Sequence, residues 1–112
     1  MSTDRIETWE CHWSKGDIPW QLPDVNQRLV SYMEELLGTA AYQNGAVVSH
    51  RTILVPLCGK SKDVLYLYEQ GHTVAGCEWV EAGCLQFFSE NNIPYTRVPL
   101  QGAEGSLFQV GV

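Results

Sequence analysis

The stretch from Ile53 to Glu78, ILVPLCGKSKDVLYLYEQGHTVAGCE, constrains this chain more than any other. Ile53-Leu54-Val55-Pro56-Leu57 is a short apolar run rich in β-branched residues, which reads as a strand built for the middle of a sheet. Cys58-Gly59-Lys60-Ser61 interrupts it. Lys62 to Gln70 has helical character, with Val64, Leu65, Leu67 and Tyr68 as its apolar residues, and Gly71-His72 ends the helix. Thr73 to Cys77 is a second short strand, and Glu78 stands at its C-terminal end. Strand, glycine turn, helix, strand and acid thus form one βαβ unit.

Such a unit has the parts needed for an adenosine-type ligand. Gly59 lets backbone approach a ligand with no Cβ in the way. The following helix offers free N–H groups and the positive end of its dipole. Glu78 lies 19 residues after Gly59, where an acid can accept hydrogen bonds from ribose hydroxyls. Only one glycine of a G-x-G-x-x-G pattern is present, and the same turn also joins strand to helix in α/β proteins that bind nothing there. From these residues alone both readings stand.

The remaining composition narrows the class. A chain of 112 residues is one domain, and 45% hydrophobic residues are enough for a core. Thirteen acids against seven bases, a net of −6, argue against a nucleic-acid or anionic-membrane partner. The first residues form no apolar leader, and no apolar run reaches membrane-spanning length, so the expected location is cytoplasmic. Cys11, Cys58, Cys77 and Cys84 form no C-x-x-C pair, and His12, His50 and His72 complete no zinc spacing, so no metal site is expected. Cys77 reads as a small buried residue. Only Lys60 and Lys62 lie near enough in sequence to activate Cys58, and no base accompanies it, so no catalytic cysteine is expected.

Trp9 and Trp13 stand at i and i+4, one above the other on a helix, followed by the Lys15-Gly16-Asp17 turn and Trp20. This segment is either a hydrophobic flap docked on the core or an aromatic wall over a ligand, since aromatic faces suit flat rings and sulfonium cations. Asp24 reads as the N-cap of a helix over 24–38 carrying Val25, Leu29, Tyr32, Met33, Leu36 and Leu37, a packing element. Thr39 to Arg51 reads as a loop turning at Asn44-Gly45, with His50 and Arg51 on the surface. Val80 to Asn91 reads as a helix with Ala82, Leu85 and Phe88 on one face, weakened by Gly83 by about 1 kcal/mol relative to alanine. Tyr95 to Val98 is a third short strand, and the glycine-rich tail from Pro99 to Val112 has little periodicity.

Four blocks carry a family likeness: Trp9-x-x-x-Trp13-x-x-Gly16-x-x-x-Trp20; Pro56-Leu57-Cys58-Gly59-Lys60; Glu69 to Glu78; and Phe87-Phe88 ahead of Asn92-Ile93-Pro94-Tyr95. In order and spacing they resemble the thiopurine S-methyltransferase family. The likeness covers Trp9 to about Tyr95, about the first half of a family member. It implies an α/β, Rossmann-like class I methyltransferase fold in truncated form, one incomplete domain over 1–112. Its parts would be an aromatic cofactor-covering segment (1–23), a helix (24–38) and a βαβαβ core (53–98). The first three parallel strands would lie in the order 3-2-1, with the crevice against a fourth that is not evident, Leu107 to Val110 being too short and isolated.

The resemblance also implies a cofactor, S-adenosyl-L-methionine. Its cofactor-binding residues would be Trp9, Trp13, Trp20, Leu57, Gly59, Glu78 and Trp79. Trp13 would lie beside the sulfonium, Leu57 and Gly59 would touch the methionine portion through their backbone, Glu78 would hold the ribose, and Trp79 would cover the adenine. Trp20, where phenylalanine is usual, would also bind the substrate, which puts the size of the acceptor pocket in question. The implied reaction is in-line: an acceptor thiolate attacks the sulfonium methyl and S-adenosylhomocysteine leaves, a step that needs positioning and desolvation more than acid–base groups. No catalytic residue is assigned, because the family's acceptor-side arginine would fall beyond Val112. The expected partner is a small-molecule thiol, with self-association through an open sheet edge. The alternative is an inactive fragment that serves only as a cofactor-binding or protein-interaction module. A P-loop is excluded because Leu54 stands where its first glycine belongs, and an NAD-binding half-domain lacks its second and third glycines.

Overall fold

A computed structural model describes residues 3–110, with side chains from Arg5 to Val110. Met1, Ser2, Gly111 and Val112, the ends of the expected first segment and of the tail, lie outside the described residues. The first element is α1 (Thr3–Lys15), which carries Trp9 and Trp13 as the spacing predicts. It stops at Gly16, where φ is +72° and the Asp17 N–H donates to the His12 carbonyl at 2.9 Å.

The helix expected over 24–38 is two short ones, α2 (Gln27–Ser31) and α3 (Met33–Leu37). The cap is Asn26, not Asp24: its side chain accepts from the Arg28 N–H at 2.9 Å. The Asn26 N–H is tied to the Asp63 carboxylate at 2.7 Å, which sets where the helix begins. The break falls at Tyr32 (φ −108°, ψ 18°), whose N–H is shared between the Arg28 and Leu29 carbonyls. Across that break Met33 turns fully into the core while Tyr32 and Leu36 stay exposed. The Asn44-Gly45 turn is present, both residues at positive φ, and it closes a small hairpin of β1 (Tyr42–Gln43) and β2 (Ala46–Val47).

The βαβ unit forms as read. β3 (Thr52–Val55) and β4 (Thr73–Gly76) pair in parallel from Thr52↔Thr73 to Val55↔Gly76, joined through α4 (Lys62–Glu69). Ser61 caps α4 by accepting from the Asp63 N–H at 3.1 Å. α5 (Glu81–Glu90) follows, but it buries Gly83, Phe87 and Phe88, and Leu85 is exposed, so its inner face differs from the expected one.

The third strand corrects the expected sheet. β5 (Thr96–Pro99) does not extend the parallel pair; it forms an antiparallel hairpin with β6 (Ser106–Gln109), from Thr96↔Gln109 to Pro99↔Ser106. The described residues hold three two-stranded sheets in place of one three-stranded parallel sheet. The reason is local. The connection from Leu100 to Gly105 is short, turns through Gly102 and Gly105 at positive φ, and closes with the Leu100 N–H on the Gly105 carbonyl at 3.0 Å. Such a loop is cheap in entropy, and antiparallel pairing is slightly stronger per residue than parallel. The segment around Leu107 is therefore a strand after all.

The core sits on one face of the β3–β4 pair. Met33, Tyr42 and Leu67 are its buried centre, with Ile53, Val55 and Val74 packed against them. The opposite face is bare, with Leu54 62% exposed and Ala75 also in solvent. Phe88, Tyr95 and Phe108 form a second, aromatic cluster that holds the β5–β6 hairpin to α5.

Candidate functional site

The C-terminal ends of β3 and β4 meet in two loops that are laced together. The Cys77 N–H donates to the Val55 carbonyl at 3.1 Å and the Cys58 N–H to the Cys77 carbonyl at 2.9 Å, continuing the ladder beyond the strands. Leu57 is held at φ +50° and is 80% exposed. Gly59 follows, buried, at φ +52°.

Glu78 ties these loops to α5. Its Oε1 accepts from the Gly59 N–H at 2.9 Å and its Oε2 from the Val80 N–H at 2.8 Å. Val80 is the N-cap residue of α5, so the carboxylate lies at that helix's positive end. Each carboxylate oxygen has capacity for a further donor. The acid predicted from spacing alone is therefore brought onto the predicted glycine and oriented by two backbone donors.

Above this junction lies the aromatic segment. Trp13 is 3% exposed, and its Cζ2 and Cη2 atoms lie 3.1 and 3.2 Å from where a Cβ on Gly59 would stand. Trp20 packs edge-on to Trp13 at 6.0 Å between ring centroids and to Trp9 at 5.3 Å. Trp9 and Trp20 remain 43% and 44% exposed. Of the residues expected at the site, Trp9, Trp13, Trp20, Gly59 and Glu78 form one contiguous group, with Leu57 at its rim. Trp79 is exposed and stands outside the ring contacts that join Trp9, Trp13 and Trp20.

Two further residues shape the site, His12 and Gly83, which the sequence brings up only for zinc spacing and for helix cost. His12 Nδ1–H donates to the Asp17 carbonyl at 2.9 Å and lies 3.1 Å from the Asp17 carboxylate, bracing the Gly16 turn, while its ring meets Trp20. Gly83 brings α5 against Trp13 and Glu78. Its signal was present in the sequence, since a glycine inside a helical pattern carries a stability cost that calls for a reason.

Two of the thiols, Cys58 and Cys84, are partly buried. Burial pushes the Cys58 thiol up to about 12, with Cys84 and Glu78 adding to the rise. Burial likewise raises Cys84. Cys58, its thiol raised this far, favours the protonated form at neutral pH. Its Sγ lies 2.7 Å from where a Cβ on Gly76 would stand, which is why that strand ends in glycine. Cys77 is exposed, contrary to expectation, because it lies past the end of β4 on the uncovered face. Among the described residues no group of three or more His, Cys, Asp or Glu could hold a metal, and no helix is long and apolar enough to cross a membrane.

The family described as Thiopurine S-methyltransferase matches residues 4–109. The chain belongs to this family. Among its relatives, the thiopurine S-methyltransferase of Shewanella oneidensis is 41% identical over 97 residues, covering 87% of this chain and 38% of the relative. That of Psychrobacter cryohalolentis is 37% identical over 90 residues, covering 80% of this chain and 37% of the relative. That of Shewanella woodyi is 36% identical over 91 residues. The chain therefore spans less than two fifths of the length of these thiopurine S-methyltransferases.

Proposed function

We propose that the junction of Gly59, Glu78 and Trp13 is the cofactor-side wall of an S-adenosylmethionine-dependent methyltransferase acting on thiols of the thiopurine or aryl-thiol kind. The observation that carries this reading is the Glu78 carboxylate, bonded to the Gly59 and Val80 amides at 2.9 and 2.8 Å at the C-terminal ends of two parallel strands. Ligands of open α/β sheets bind at that end. When bound, S-adenosylmethionine supplies a methyl group on a cationic sulfonium, open to attack by a thiolate.

The residues present fit that group. Glu78 offers its remaining lone pairs to ribose hydroxyls and Leu57 lies exposed at the rim, while Gly59 is buried with its N–H held by Glu78 and would serve by fixing that carboxylate. Trp20, 44% exposed, offers ring surface to a sulfonium, while Trp13 is buried beneath it and backs the wall; Trp79, exposed and next to Glu78 in the chain, would flank an adenine. Trp20, exposed at the rim of the aromatic group, is placed to meet the acceptor. Cys58 contributes no competing thiolate. The bare face of β3 and β4 favours a second reading, in which this chain acts only as a cofactor-binding or protein-interaction module.

Saturation-transfer NMR of the 112-residue chain with millimolar S-adenosylhomocysteine tests the proposal. Adenine and ribose protons are expected to receive saturation. Glu78→Ala removes a charged acceptor, a loss of about 1.5–3 kcal/mol, and is expected to weaken binding about tenfold or more. No transfer at all counts against cofactor binding by this chain, and equal transfer in the variant removes Glu78 from the cofactor site.

A further inference from the structure

Gly83 lies inside α5, where glycine is a poor helix former and where the backbone is helical rather than left-handed. Its own conformation therefore does not call for glycine. Its surroundings do. A Cβ there would stand 3.1 Å from Trp13 Cζ2, 3.3 Å from Trp13 Cη2 and 3.3 Å from Glu78 Cγ. A Cβ on Gly59 would meet the same two indole atoms at 3.1 and 3.2 Å. Two glycines from different elements thus converge on one edge of one ring. Trp13 is buried, so that edge has little room to withdraw from either.

We propose that Gly59 and Gly83 form a socket for Trp13, and that Gly83 is a positioning residue of the cofactor wall. By admitting the indole it seats α1, and with α1 the Trp9–Trp20 aromatic segment, on the Glu78 junction. By leaving Glu78 Cγ room it also sets the rotamer in which the carboxylate reaches the Gly59 and Val80 amides. The consequence for cofactor binding rests on the function proposed above; the socket itself does not.

The test compares Gly83→Ala, Trp13→Phe and the double variant in the full 112-residue chain. In a helix whose glycine has no such role, alanine raises the Tm. Here Gly83→Ala is expected to lower the Tm and to speed hydrogen exchange of the Trp13 indole N–H about tenfold or more. Phenylalanine lacks the distal indole atoms, so in the Trp13→Phe background Gly83→Ala is expected to raise the Tm. Affinity for S-adenosylhomocysteine is expected to fall about tenfold in Gly83→Ala. A higher Tm with unchanged Trp13 exchange overturns the socket, as does unfolding by Gly83→Ala in both backgrounds. Unfolding in the Trp13 background alone supports it. The Tm and exchange readouts need no ligand, so failure of wild-type chain to bind S-adenosylhomocysteine would count against the proposed function and leave the socket standing.

Discussion

His72 shows how a single side chain couples the start of the parallel pair to pH. It is buried, and its Nδ1 accepts from the Arg51 N–H at 2.9 Å, which leaves the ring proton on Nε2, an atom with no partner among the described residues. Burial lowers its pKa, and the neighbouring His50 and Arg51 lower it further. The neutral form is thus the folded form. As pH falls below about 6.5 the unfolded chain takes up the proton first, so stability present at neutral pH is lost towards the lowered folded-state pKa. The Tm is expected to drop as pH falls below about 6.5, and less steeply in His72→Asn, which keeps an acceptor for Arg51 and does not titrate. Identical pH slopes for the two proteins would show that His72 is not responsible.

Among the elements, α1 and its turn divide into a fixed and a loose part. The sequence left the Trp9–Trp20 segment between a docked flap and a ligand-covering wall. Trp13 is core, enclosed by Gly59, Gly83 and Glu78, whereas Trp9 and Trp20 lie two fifths exposed around the Gly16 turn. Ligand-induced ordering therefore belongs to the turn rather than to the whole segment. With S-adenosylhomocysteine bound, amide exchange is expected to slow from Gly16 to Gln21 and to change little at Trp13, already protected. Mass-resolved hydrogen exchange with and without ligand checks this. Uniform slowing across α1 would make the whole segment a lid, and no slowing anywhere would make all of it core.

At the scale of the molecule the fold is extended. The radius of gyration is 15.5 Å, against about 13 Å for a compact domain of this length. β3 is paired on one side only, and Leu54 and Leu57 expose apolar surface beside its free edge. An unpaired apolar edge is a template for another chain. The 112-residue chain is expected to form dimers or larger species at micromolar concentration and to transfer no methyl group to a thiol. Light scattering and a methyl-transfer assay on the same sample test both statements. A stable monomer that methylates an acceptor would mean that the β5–β6 hairpin completes a working site.

The sequence by itself determined what depends on neighbours along the chain: the βαβ unit, the Asn44-Gly45 turn, the Trp9–Trp13 helix and the spacing that carries Glu78 to Gly59. Strand periodicity, glycine φ and helix spacing are local, and they survived into the structure. Only the tertiary structure decided what depends on partners. The 24–38 helix broke at Tyr32 so that Met33 could be buried, β5 took the nearby β6 over the distant β4, and α5 turned Gly83 inward to admit Trp13. In each case a propensity of a kcal/mol or less was set against burial or pairing worth more, and that contest is resolved only when the elements meet.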